Sequence, residues 1–428
     1  MRVLLTGAGG FIGSQVLSAL MAAGHEVIAC TRTGSLSGSG AIRSIACDFA
    51  RDVDAATWVS RLEGIDAVVN CAGILRERGA DRFEQVHVET PVALFRACVI
   101  AGVRRVIQVS ALGRPEDAEF IASKHRGDAR LAELDLEWVI LRPSVVYSPD
   151  GSYGGTSLLR AMSALPGVIF VPGSGQQQIA PVSARDLADL IVRLLPTTAD
   201  SRRTFEVVGP ESMSLETYLK AWRQWLAFGE PWVLRVPGFV VATTSWFGDL
   251  FGRGPLGMTM YRMLMSGSVA QPGADAATSN SVGWRPRSLR DTLNERPSFV
   301  QDRWHARLYL LAPLLRMALA FVWLASAIVG FVTPPAEIRE ILGDAGVVNG
   351  AIELDYFAAA VDALLGLLLL FGWRLQLVGA LMLASLFAYT VFVGVEMPAL
   401  WLEPFGGLLK NLALIPAVLL MMATADRR

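Results

Sequence analysis

Cysteine is scarce. The chain has four in 428 residues, Cys30, Cys47, Cys71 and Cys98, and none stands in a Cys-x-x-Cys pair. That usage speaks against a disulfide frame or a zinc site; the four read as small apolar residues of a reducing compartment. Charge is thin as well. Asp, Glu, Lys and Arg make up 18% of the residues, 38 basic against 39 acidic, where a soluble chain averages about 25%. No Lys/Arg-rich block occurs, so nucleic acid is not expected as a partner. Nor is a signal peptide legible, because an apolar strand starts at Val3 and runs straight into a glycine loop. The N-terminal part is therefore expected on the cytoplasmic side.

What the chain has instead is apolar residues, 53% of the total, unevenly placed. Its length suggests two or three domains. Residues 1–307 read as an ordinary α/β protein, whereas 308–423 are long apolar runs with few charges. Four runs, about 310–332, 356–373, 375–395 and 405–423, approach the roughly 20 residues that cross hydrocarbon. Arg303 and Arg307 precede the first run, Arg374 sits between the second and third, and the chain ends Asp426-Arg427-Arg428. The segment from Thr333 to Asp355 is mainly acidic. The positive-inside rule then places both termini in the cytoplasm of a multi-pass protein of the cell (inner) membrane.

The first residues carry the chemistry. A β-run ends at Thr6 and is followed by Gly7-Ala8-Gly9-Gly10-Phe11-Ile12-Gly13. An apolar-periodic helix with Val16, Leu17, Leu20 and Met21 comes next, and then a second strand, Val27-Ile28-Ala29. In that setting Gly7 allows a tight turn, Gly10 lets the backbone meet a pyrophosphate, and Gly13 lets the helix pack close to the sheet. The free N–H groups of the helix start then face the phosphates. The fold expected is an α/β Rossmann domain with a doubly wound parallel sheet, followed by an all-α transmembrane four-helix bundle.

Thr6 and the Gly-x-x-Gly-x-x-Gly spacing resemble the atypical and extended short-chain dehydrogenases. The resemblance continues through Cys47-Asp48-Phe49, Asn70-Cys71-Ala72-Gly73, a fifth strand ending at Ser110, and Leu141-Arg142-Pro143-Ser144-Val145. It covers about residues 1–297. It implies that Gly7, Gly9, Gly10, Phe11, Ile12, Gly13, Asp48, Phe49, Cys71, Ala72, Gly73, Ser110, Lys124, Pro143 and Val145 line a dinucleotide. The second strand ends Cys30-Thr31-Arg32 without an acid for the ribose 2′-hydroxyl. NADP(H) is therefore favoured, with Arg32 on the 2′-phosphate, and NAD(H) is the alternative.

The family's chemistry rests on Tyr-x-x-x-Lys with a serine at the fifth strand's tip. Here the matching stretch is Phe120-Ile121-Ala122-Ser123-Lys124. Ser110 and Lys124 keep the family's catalytic positions, but Phe120 holds the tyrosine's, and phenylalanine can neither give nor take a proton. Either the usual carbonyl chemistry is lost, or another group supplies the proton. His125 reads as a surface residue and Tyr147 as a packed one. The pattern resembles the branch that includes an accessory subunit of respiratory complex I, some members of which are linked to quinone metabolism.

Residues 151–300 read as the remaining Rossmann elements and a smaller substrate-side region, and residues 308–428 as the membrane domain. Within the middle region, 231–265 is rich in Trp, Phe and Met and poor in charge. Three readings are open: an interfacial surface on the bilayer, the mouth of an apolar pocket, or packing between domains. In the membrane part, Asp362 and Lys410 fall at similar depth from the outer face, ~9 Å, and are expected to pair, with Asn411 beside them. The stretch Trp401 to Asn411, Pro334-Pro335 and Trp373-Arg374 resemble the DoxX-like membrane family. The leading expectation is a membrane-anchored, redox-linked NAD(P)H-binding protein acting on or near a quinone-type or other apolar partner. The alternative is a non-catalytic subunit of a membrane protein complex.

Overall fold

The strands form where short apolar runs are bounded by polar turns. In chain order, nine matter here: β1 (Arg2–Thr6), β2 (Glu26–Thr31), β3 (Ser44–Ala46), β4 (Ala67–Asn70), β5 (Arg105–Val109), β6 (Glu137–Pro143), β7 (Val168–Pro172), β8 (Arg203–Val207) and β9 (Trp232–Val236). This is a computed structural model, and it describes residues 1–36, 42–251, 257–344, 346–347, 349–402 and 408–425. The chain divides into two compact units, Met1–Ala306 and Arg307–Arg428.

In the N-terminal unit a seven-stranded sheet runs in the order β8-β6-β5-β4-β1-β2-β3, with every pairing parallel. Val3-Leu4-Leu5 and Ala67-Val68-Val69 are fully buried, as strands covered on both faces must be. The helices α1 (Phe11–Ala22), α2 (Thr90–Ala101), α3 (Glu119–Ala132) and α4 (Ala184–Leu194) belong to this part. Val16, Leu17 and Leu20 of α1 and Leu187, Leu190 and Ile191 of α4 pack with Val3 and Leu5. Trp58, Leu94, Phe95 and Leu131 pack with Leu4, Val68 and Val106. Met21 is exposed instead of joining the core face of α1. Sequence order reverses between β1 and β4, and such a switch point leaves a crevice at the carboxyl ends of the strands.

A smaller region follows. There β9 pairs in parallel with β7, over a core of Tyr147, Ile169, Val171, Leu219 and Trp222 that includes α5 (Leu215–Trp225). Tyr147 is fully buried, as expected of a packing residue. The helices α6 (Gly238–Phe251) and α7 (Met258–Ser266) come after β9.

The C-terminal unit is helical: α8 (Val300–Val332), α9 (Pro335–Asp344), α10 (Ala351–Phe371), α11 (Leu375–Glu396) and α12 (Leu409–Ala423). The unit boundary lies within α8. That helix begins at Val300, well before residue 310, because Asp302 accepts from the Phe299 amide at 2.8 Å and holds its first turn. The segment after Thr333, expected as a loop, contains α9. Among the described residues three helices, α8, α10 and α11, are long and apolar enough to cross a membrane. The fourth run differs from expectation. As described it is a helix of 15 residues, about 22 Å long against a hydrocarbon core of about 30 Å. Residues 403–407, where that run was expected to begin, lie outside the described residues, as does the Asp426-Arg427-Arg428 end.

The expected Asp362–Lys410 pair is not formed. Asp362 Oδ2 accepts from Ser326 Oγ of α8 at 2.7 Å. Asn411 Nδ2 donates to Thr390 Oγ1 of α11 at 3.0 Å, and Lys410 is exposed. Consecutive helix positions point about 100° apart, so when Asn411 turns toward α11 its neighbour Lys410 faces elsewhere. The helices pack instead through Leu319, Trp323, Leu365, Leu369, Val378, Met382, Val418 and Met421.

Candidate functional site

The glycine loop is set by close approach. Gly7 has a φ of +66°, and a Cβ there would lie 2.8 Å from the Cys71 carbonyl carbon. A Cβ on Gly13 would lie 2.0 Å from Gly7 O, so the start of α1 rests directly on the β1 turn. The Gly10 amide donates to Gly7 O at 2.9 Å. Gly10 caps α1 without a side-chain hydrogen bond, which leaves the amides of Phe11, Ile12 and Gly13 for an incoming anion. Below the loop, Thr6 Oγ1 donates to Asn70 Oδ1, and Asn70 Nδ2 donates to Gln108 Oε1 at 2.7 Å. This buried chain ties β1, β4 and β5 together at their carboxyl ends.

Lys124 reaches the same place from α3. Its buried Nζ donates to Ala72 O at 2.8 Å and Val109 O at 3.3 Å, which leaves a third N–H. Burial pulls the ammonium down to about 8, against the opposing charges of Asp128 and Cys71. A Cβ on Gly73 would come within 2.9 Å of Nζ, so a larger residue there would displace the lysine's ammonium. These residues fit a dinucleotide: an open helix start for the phosphates, and a buried ammonium with a proton free for a ribose hydroxyl. The dinucleotide, when bound, supplies hydride chemistry.

The proton-transfer side is different. Phe120 is half-buried. Its ring meets His87 edge-on at 5.5 Å and Phe83 at 6.4 Å, and Phe83 stacks on His87 at 5.3 Å. His87 Nε2 accepts from the Ile74 amide at 3.0 Å, so the ring proton lies on Nδ1, 2.8 Å from Ser123 Oγ. Burial, then the Lys124 charge, pushes the imidazole down to about 2. It is neutral and fully engaged. Ser110 Oγ donates to Asp128 Oδ2 at 2.7 Å, and the same oxygen accepts from Arg142 Nε and Nη2 at 3.1 and 3.0 Å. The serine's one proton is thus committed to a carboxylate, not aimed at a substrate.

The remaining expected residues lie around this crevice. Arg32 follows β2 but is exposed and paired with Asp81 at 3.0 Å. Asp48 Oδ1 accepts from the Ala50 amide at 3.0 Å. Phe49 is buried, edge-on to Trp58. Cys71 is half-buried and burial pushes its thiol up to about 12. Pro143 ends β6, and Val145 O accepts from the Val182 amide at 3.0 Å. His125 is not the surface histidine expected: its Nε2 lies 3.0 Å from Ala111 O. Ser183 caps α4, and Arg185 pairs with Asp150 at 2.7 Å. Sequence reading missed His87, Asp128 and Arg142. Only Arg142 carried a signal, its place in the Leu-Arg-Pro strand end.

A doubly wound parallel sheet with a glycine loop at its switch point is a Rossmann fold. Residues 3–207 match the family model of the NAD-dependent epimerase/dehydratase family, and residues 320–419 match that of the DoxX-like family. The two matches cover separate parts of the chain. Its relatives include an uncharacterised protein of Mycobacterium tuberculosis, 25% identical over 240 residues, which are 56% of this chain and 25% of that one. The chain thus spans about a quarter of that relative's length. Subunit 9 of the NADH dehydrogenase [ubiquinone] 1 alpha subcomplex of mouse is 28% identical over 261 residues, 58% of this chain and 66% of the subunit. The UDP-glucose 4-epimerase of Thermus thermophilus, solved with NAD, has the same fold. It has 20% identity and a TM-score of 0.52, and covers 72% of this chain and 99% of its own.

Proposed function

We propose that this chain is a membrane-anchored NAD(P)(H)-binding protein that holds its dinucleotide without a tyrosine–lysine proton relay, as a redox-linked component of a membrane assembly. The observation that carries this reading is the phenyl ring of Phe120, set edge-on to the stacked His87 and Phe83 rings, where the relay needs a hydroxyl. Gly7, Gly13, Gly73 and Lys124 support the binding half of the proposal. NADP(H) is the preferred ligand, on Arg32 and the absence of an acid at the end of β2. The mouse subunit, by its name part of an NADH dehydrogenase, supports a place in a membrane complex. Arg303, Arg307 and Arg374 support a cytoplasmic position for the N-terminal unit.

A second reading is turnover with a lipid-soluble, quinone-type acceptor. The apolar surroundings of Phe120 favour it, for Met263 and Phe120 both pack on Ala111, Ala118 and Ile121. The full-length protein in nanodiscs separates the two, with NADPH and a soluble quinone followed by nicotinamide absorbance. The expected result is measured dinucleotide binding without oxidation above background, and a gain of carbonyl-reducing activity in Phe120→Tyr. Rapid oxidation by the unaltered protein would overturn the first reading in favour of the second.

A further inference from the structure

The segment from Pro231 to Gly248 carries one charged residue, Arg235, and leaves its largest side chains in the open. Strand β9 reads Trp-Val-Leu-Arg-Val. Its inward face, Val233, joins Ile169 and Val171 of β7 in the core. Its outward face should be polar if it met water alone, because alternate residues of a half-covered strand face solvent. Instead it presents Trp232, 81% exposed, and Leu234, which stands beside the exposed Phe170 of β7 in the pairing register. Helix α6 continues the surface with Phe239 at 74%, Trp246 at 55% and Phe247 at 50% exposure. The Trp246 and Phe247 rings meet edge-on at 5.0 Å.

This surface is built, not frayed. Arg76, on the loop after β4, donates to Gly248 O at 2.6 Å and pairs with Asp249 at 3.0 Å. The carboxylate that follows the aromatic run is thereby drawn toward the dinucleotide-side loop. Asp249 also accepts from the Met258 amide at 2.9 Å and so links α6 to α7. In turn α7 sets Met263 on the apolar cluster beside Phe120, and Met260 against Gly155.

We infer that the face formed by Trp232, Leu234, Phe239, Trp246 and Phe247, with Phe170, docks into the interfacial layer of a lipid bilayer. Tryptophan and phenylalanine on a helix and an uncharged strand face suit that layer, where amphipathic rings settle at headgroup depth. Arg235 lies on Val233's side of the strand and pairs with Glu216 at 3.3 Å, so the outward face of β9 carries no charge. Three helices among the described residues are long and apolar enough to cross a membrane, and a chain held at a bilayer by them needs little intrinsic affinity in this face. Docking there would bring the apolar surroundings of Phe120 to the lipid phase whether or not the dinucleotide turns over.

The test uses the full-length protein in nanodiscs. Phe247→Cys and Trp232→Cys are labelled with an environment-sensitive fluorophore and compared with Ile100→Cys, an exposed position on α2. The unaltered protein sets the labelling background from its own cysteines. Lipids carrying a shallow nitroxide should quench the label at 247 and at 232 and leave the one at 100 unchanged. Adding Phe239→Glu should abolish quenching at 232 while dinucleotide affinity stays the same. A label at 247 that is water-exposed and unquenched would overturn the inference. So would a shielded, unquenched label, which would mark the face as buried against protein, either a second copy or the chain's own helices.

Discussion

At the scale of single residues, the account turns on what a side chain would collide with or donate to. Gly13→Ala places a methyl 2.0 Å from Gly7 O, a contact that only a shift of α1 relieves. Dinucleotide affinity should fall below detection by calorimetry while the far-ultraviolet spectrum stays native; retained affinity would contradict the reading of the loop. Lys124 makes a pH prediction. Its ammonium titrates near 8, and the protonated form is the one that donates to a ribose hydroxyl. Dinucleotide affinity should therefore weaken as pH rises through about 8, and Lys124→Met should be weak and flat with pH. A profile unchanged by that substitution would remove Lys124 from the site. These residues were legible in the sequence because the loop and the lysine stretch are local patterns. His87 was not, for its partner Ser123 is 36 residues away, and nothing near it in sequence announces the contact.

At the scale of elements, the parallel strands could be read from unbroken apolar runs, and their order followed the doubly wound pattern. Helix ends were harder. The start of α8 depends on Asp302 capping it, and α9 lies in a stretch whose acids suggested a loop. The turn Gln85–Glu89, wound wider than an α-helix, places His87 between the loop after β4 and α3. A Cβ on Gly127 would strike His87 O at 2.3 Å, so the turn and α3 are in close contact. His87 is pushed down to about 2, below its unfolded value of 6.5. The unfolded chain therefore binds more protons below pH 6.5, and stability should be lost as pH falls under that value. The slope attributable to His87 is at most about 1.4 kcal/mol per pH unit. Urea unfolding followed between pH 7 and 5 should show this loss, reduced in His87→Asn. An equal loss in both proteins would assign it to other groups.

At the scale of the whole molecule, composition alone separated a charged N-terminal half from an apolar C-terminal part, and the two family matches fall on the corresponding units. Depth along a helix suggested the pairing of Asp362 and Lys410, but depth says nothing about azimuth. Ser326 took the carboxylate instead. A double-mutant cycle of Asp362→Asn and Lys410→Gln on thermal stability in nanodiscs should give additive effects, within about 0.5 kcal/mol. Coupling well beyond that would restore the ion pair.

The central claim is that the open start of α1 and the buried Lys124 hold a pyridine dinucleotide in a protein anchored to the membrane. Calorimetric titration of the full-length chain in nanodiscs with NADPH and then NADH tests it most directly. One dinucleotide per chain should bind, more tightly for NADPH, with no heat from Gly13→Ala. No binding of either ligand by the unaltered protein would contradict the claim.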